Sequence, residues 1–157
     1  MNYLSAILLT GLVLAAVSCN VVRESEMNVT DLKCEYLNDP LGIGEAHPRL
    51  SWVLESAVRG QSQSAYQVLV SSSRGNLDKD IGDLWDTGKI TGDQTTQIAY
   101  AGKALTSRQQ CFWKVKSWDA GDQQTSFSQP ALWTMGLLAK EDWQAQWIGR
   151  QAEKVSG

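Results

Sequence analysis

Two carboxylates bracket a tryptophan in residues 82–88, GDLWDTG, where Asp83 and Asp86 stand on either side of Leu84 and Trp85. A carboxylate pair beside an aromatic ring is the equipment of a sugar subsite: the ring takes the apolar face of a pyranose and the acids take its hydroxyls. The same spacing suits a short strand with Trp85 packed and an acid at each end. The second reading is favoured, because acid–base chemistry needs a cleft and perturbed environments. The other acids, among them Asp39, Asp78, Asp80, Asp93, Asp119 and Asp122, stand in turn-like stretches, where aspartate commonly bonds nearby backbone. His47, the single histidine, precedes Pro48 and reads as a loop residue. Ser71, Ser72 and Ser73 end an apolar run with no G-x-S-x-G context and no nearby histidine. No catalytic residue is assigned.

Residues 111–121, CFWKVKSWDAG, pose a second question. Strand alternation places Cys111, Trp113, Val115 and Ser117 on one face and Phe112, Lys114, Lys116 and Trp118 on the other. Lysines avoid burial unless paired, so the lysine face is expected to be the wet one. Trp113 and Val115 are then core residues. Trp118 lies near the strand end on the polar face, either as a packing residue for a neighbouring domain or as a sugar platform.

Composition narrows the classes. Hydrophobic residues make up 43% of the 157 residues and charged residues 20%, which is a globular composition. The net charge is −3 with no basic stripe, which argues against nucleic-acid binding. Seven tryptophans in so small a chain must sit mostly in a core or an interface. There is no Cys-x-x-Cys spacing and His47 has no partners, so neither a zinc site nor any other metal or cofactor is expected.

The elements that position these residues are short apolar-alternating runs separated by turn residues, with no sustained helical period. They fall at residues 28–36, 49–54, 65–72, 83–87, 95–100, 111–119 and 129–135. Seven such strands predict an all-β, antiparallel, seven-stranded sandwich over residues 28–138. Its expected core includes Trp52, Tyr66, Val68, Val70, Trp113 and Val115. Cys34 and Cys111 suit small buried positions and are expected to be free, with pairing left open for an exported chain. Trp143 and Trp147 follow the last strand, in helical or extended backbone, and need a partner surface.

The first 19 residues, ending AAVSC, read as a secretory signal peptide with an apolar run from Ile7 to Val17. The ending resembles a lipobox, which implies lipidation at Cys19 and membrane anchorage at the cell envelope, periplasmic or surface. A plain signal peptide cut nearby is the alternative. Residues 20–27 are then a polar tether.

Trp52 after RLS, the Y-x-V-x-V of 66–70, Leu105, the W-x-V-x-S of 113–117, Gly121 and Phe127-Ser128 resemble a fibronectin type III or immunoglobulin-like domain. Such domains usually open the sixth strand with a tyrosine. Cys111 stands there, so that tyrosine's backbone hydrogen bond is either missing or supplied otherwise. The phrases NDPLGIG (38–44), PRLSW (48–52), QSAYQVLV (63–70), GDLWDTG (82–88), WKVKSWD (113–119) and WTMGLL (133–138) together resemble the N-terminal region of bacterial α-L-rhamnosidases. DWQAQWIG (142–149) is similar to the start of their next β-sandwich, so residues 139–157 are expected to be a linker and the truncated start of that domain.

The resemblance implies a non-catalytic module of an inverting glycoside hydrolase. Its two carboxylates would lie in a downstream (α/α) barrel, and no position here matches their motif. The implied partners are the downstream domains and rhamnose-containing glycans. The competing readings are a carbohydrate-binding module using Trp118 and Trp85, and a surface-interaction lipoprotein.

Overall fold

The computed structural model describes residues 24–146. Its strands are β1 (Met27–Cys34), β2 (Arg49–Ser56), β3 (Gln63–Ser71), β4 (Trp85–Asp86), β5 (Ile90–Thr91), β6 (Ile98–Ala99), β7 (Gln110–Asp119) and β8 (Ala131–Thr134). One sheet runs β1-β2-β6, the other β4-β3-β7-β8, and β5 pairs with β3. All of these strand pairings are antiparallel. The protein is an antiparallel, immunoglobulin-like β-sandwich.

The period-2 pattern fills the space between the sheets. Leu50 and Trp52 of β2 face Tyr66, Val68 and Val70 of β3 and Cys111, Trp113 and Val115 of β7, all buried in one cluster with Trp133 of β8. Each fully buried aliphatic side chain there contributes about 1.5–3 kcal/mol. Aromatic edges set the packing: Trp52 tilts on Tyr66 at 5.2 Å, and Tyr100 and Trp113 each meet Trp133 edge-on, at 6.0 and 6.3 Å.

Eight strands stand among the described residues where the sequence predicts seven. The addition is β5. β4 and β5 pair along the same edge of β3, at Val70↔Trp85 and Tyr66↔Ile90. They are interrupted at Thr87-Gly88-Lys89, where Gly88 takes a φ of 59°. Thr87 bridges the break: its amide donates to the Val68 carbonyl at 3.2 Å and its hydroxyl accepts from the Val68 amide at 2.9 Å.

One helical turn, α1 (Arg74–Leu77), was not expected from the sequence. Ser73 caps it, its hydroxyl accepting from the Asn76 amide at 3.2 Å. The turn sets Leu77 in the interior on the outer face of β3, where Leu69 is also buried. This overturns the wet-face expectation for Lys114, which is only 7% exposed. Its ammonium donates to the Leu77 carbonyl at 2.7 Å and pairs with Asp80, so the charge is held where α1 and its following turn cover the sheet.

Hydrogen bonds hold both ends of the described domain. Met27 is buried as the first residue of β1, and Ser25 donates through its amide to Gln124 at 2.9 Å and through its hydroxyl to Asp119 at 2.7 Å. At the other end a 3-10 turn, Lys140–Asp142, is held by Ser107, which donates to Asp142 and accepts from the Leu138 amide at 2.8 Å. The expected signal segment, Cys19 and Trp147 lie outside the described residues.

Candidate functional site

The acids singled out in the sequence, Asp93 apart, are engaged by hydrogen bonds or ion pairs. The Asp83 carboxylate accepts from the Ser72 amide at 3.0 Å and hydroxyl at 2.6 Å. Burial alone would raise its pKa, but these bonds and one from Asn76 outweigh that and hold it below the ordinary carboxylate value. Asp86 accepts from the Gln67 amide group and from the Gly88 amide, both at 2.8 Å. Asp119 closes the turn after β7, accepting from the amides of Gly121 and Gln123 at 2.9 Å each. Asp39 accepts from the Leu132 amide at 2.8 Å. A carboxylate fixed as an ionised acceptor serves a turn well and is poorly suited to give up a proton. His47 stands in an exposed loop with its Nδ1 3.0 Å from the Tyr100 carbonyl oxygen.

The two candidate sugar platforms are not brought together. Trp118 pairs with Ala65 on the outer face of the larger sheet, while Trp85 pairs with Val70, whose side chain faces the core. Trp118 is half-buried between cations: the ammoniums of Lys89 and Lys116 lie 4.9 and 5.1 Å from its ring centroid. Lys116 also sits 4.7 Å from the Phe127 ring, and Lys114 lies 4.5 Å from the same ring. The outer face is thus a ladder of alternating ammoniums and rings, closed by ion pairs from Lys114 to Asp80 and from Lys89 to Asp122. A sugar stacking on Trp118 would have to displace those ammoniums.

Trp85 has a different setting. One edge contact ties it to Tyr100, at 5.3 Å and 74°. The half-buried side chain packs against the core cluster and also borders a cleft of about 450 Å³ between the β4–β5 edge of one sheet and β6 of the other. Tyr66, Asp86, Ile90, Gln94 and Gln97 also line it. The sequence pattern marks Tyr66 only as a core residue and gives no sign of Ile90, Gln94 or Gln97. Those three are brought to Trp85 by the β3 register and by the return of the chain to the other sheet, which has no local signature. Gln97 carries a φ of 57°, a backbone state that residue type does not announce.

Residues 29–139 match the family described as Rha78A-like, N-terminal immunoglobulin domain. The chain belongs to this family. It is 43% identical over 128 residues to an alpha-L-rhamnosidase of Streptomyces avermitilis, an alignment that covers 82% of this chain and 12% of that protein. The crystal structure of the Streptomyces avermitilis alpha-L-rhamnosidase, complexed with L-rhamnose, superposes with a TM-score of 0.74 at 43% identity, over 78% of this chain and 12% of that one. The alpha-L-rhamnosidase of Dictyoglumus thermophilum superposes at 0.76 with 41% identity, over 79% of this chain and 14% of that one. The chain therefore spans about an eighth of the length of the relatives it matches.

Cys111 has no hydroxyl to make the bond of a tyrosine at that position, and Tyr100 makes a backbone bond of its own. Tyr100 donates through its hydroxyl to the Lys103 carbonyl at 2.7 Å, with the Leu84 carbonyl alongside at 3.3 Å. Gly102 lies against this bond, and a Cβ there would come within 2.6 Å of the Tyr100 hydroxyl and 2.4 Å of the Leu84 carbonyl oxygen. The Lys103 amide donates in turn to the Leu84 carbonyl at 2.9 Å, which ties the 84–85 segment beside the cleft to the segment after β6.

Proposed function

We propose that this chain is the front of an exported α-L-rhamnosidase, and that residues 29–139 are a non-catalytic module that braces the domains hydrolysing terminal α-L-rhamnosides. The observation that carries the reading is 43% identity to the Streptomyces avermitilis alpha-L-rhamnosidase over most of this chain but only an eighth of that protein. Two further features support it. Asp39, Asp83, Asp86 and Asp119 are held as acceptors of hydrogen bonds and Asp78, Asp80 and Asp122 are ion-paired, whereas inverting hydrolysis needs an acid and a base about 6.5–9.5 Å apart across a sugar. Trp143, beyond the last strand, is 59% exposed, which suits a following domain packed against it.

Export and anchoring through Cys19 belong to the same proposal, supported by the apolar run from Ile7 to Val17 and the Ala-Val-Ser-Cys ending. Sequencing the gene past the Gly157 codon tests the catalytic part. A frame that runs on into further domains, whose product releases rhamnose from an aryl rhamnoside, is the expected result. A stop codon directly after Gly157 would overturn it. Fatty-acid labelling of cells producing the protein, lost in Cys19→Ala, tests the anchor.

A further inference from the structure

We infer that the cleft between β4–β5 and β6 is a binding site for a neutral monosaccharide, with Trp85 as its aromatic wall and Tyr66, Asp86, Gln94 and Gln97 as its polar groups. The cleft's volume of about 450 Å³ lies in the range of small-molecule sites. Its chemistry points to a polyhydroxylated ligand. The Tyr66 ring is fixed against Trp52 at 5.2 Å, and its hydroxyl, with no protein partner among the described residues, is open at the cleft. A hydroxyl held in place and open to the cleft can donate to or accept from a ligand.

The other polar groups are held in place through one atom and open at another. Asp86 takes both of its protein bonds on Oδ1, leaving Oδ2 free. Gln94 donates through Nε2 to the Thr96 carbonyl at 2.8 Å, and Gln97 donates through Nε2 to the Tyr36 hydroxyl at 2.8 Å. Both glutamines keep Oε1 open. Three anchored acceptors and one hydroxyl that can donate or accept complement a ring of sugar hydroxyls, which donate and accept. Trp85 and Ile90 supply apolar surface for the C–H face of the ring. The single carboxylate disfavours acidic sugars, and one tryptophan edge is no aromatic cage for an organic cation.

The inference rests on the rhamnosidase reading only for the choice of L-rhamnose as first probe. The test is a titration of the full chain with L-rhamnose, followed through the tryptophan indole and backbone amide NMR signals. Saturable shifts in the millimolar range at Trp85 and around Gln97 are expected. Tyr66→Phe removes a hydroxyl with no partner in the free protein, so its melting temperature should hold while affinity falls about fivefold to tenfold. Gln97→Ala, on an exposed loop, should weaken binding to a similar degree. No saturable shift, equal affinity in both variants, or tighter binding of galacturonate or choline would each overturn the assignment. A frame that stops at Gly157 would sink the rhamnosidase reading and leave a saturable sugar shift standing. A silent titration would sink the cleft and leave that reading untouched.

Discussion

The indole N–H of Trp52 donates to Oε1 of Gln63 at 3.2 Å, inside the sandwich and across its two sheets. Ser117 donates its hydroxyl to the same oxygen at 2.7 Å. The Gln63 amide group donates in turn to the carbonyls of Gly92 and Gln94 at 3.2 and 3.0 Å. One buried amide therefore ties β2, β3, β7 and the segment that leads to β6. Gln63→Leu would leave the Trp52 and Ser117 donors without their acceptor. The expected loss is about 2–4 kcal/mol in urea unfolding. A loss below about 1 kcal/mol would mean the donors find other partners.

Trp113 and Trp52 fill the space between the sheets, at 0% and 2% exposure. Either one replaced by alanine should cost about 3–5 kcal/mol, read by the same unfolding assay. A cost under about 1 kcal/mol for both would contradict the inward placement of that strand face.

Lys114 gives the opposite expectation despite its burial. The Leu77 carbonyl it bonds also accepts from the Asp80 amide at 3.0 Å, and the Asp80 side chain is 62% exposed, so neither is stranded when the ammonium goes. Lys114→Met keeps the apolar stem over the sheet. Stability should change by less than about 1 kcal/mol. A loss beyond about 3 kcal/mol would show that the charge itself holds α1 in place.

Gly102→Ala presses a methyl group onto the Leu84 carbonyl and the Tyr100 hydroxyl. The expected cost is about 1–3 kcal/mol. Tyr100→Phe removes the bond to Lys103 and should cost about 1–2 kcal/mol. The double variant should cost less than the sum of the two, because both act on one contact. Strict additivity would separate them.

Alkaline pH tests the interior in another way. Burial, with smaller contributions from the charges of Glu35 and Cys111, pushes the Cys34 thiol from its ordinary 9.0 up to about 12. Burial, with Asp83 nearby, does the same to Cys111. Both thiols are free. The folded state keeps protons that the unfolded state has lost, so this stability is complete below pH 9 and declines as pH rises from 9 toward 12. Denaturant midpoints should fall across that window. At pH 8 a thiol reagent should modify Cys34 and Cys111 only as the protein unfolds. Rapid labelling of either in the native state would contradict the burial.

The strand faces were legible because they need only period-2 alternation: Tyr66, Val68, Val70, Trp113 and Val115 point inward whatever their partner strands are. The turn role of Asp119 was legible from local residue type, since its carboxylate accepts from amides two and four residues on. The position of Lys114 was not, since the lysine is covered by a single helical turn, α1, too short to show a period in the sequence. Nor was the split of β4 from β5, which depends on Thr87 bonding a strand 19 residues away in sequence. The chain alone set a tyrosine-to-backbone bond in doubt at Cys111 and gave no sign of the one that Tyr100 makes to Lys103. The cleft beside Trp85 exists because two sheet edges stop short of each other, and such a gap has no pattern in one dimension. Local periodicity determined which residues face the core of this protein, while contacts between segments far apart in the chain decided what its polar and aromatic residues could reach.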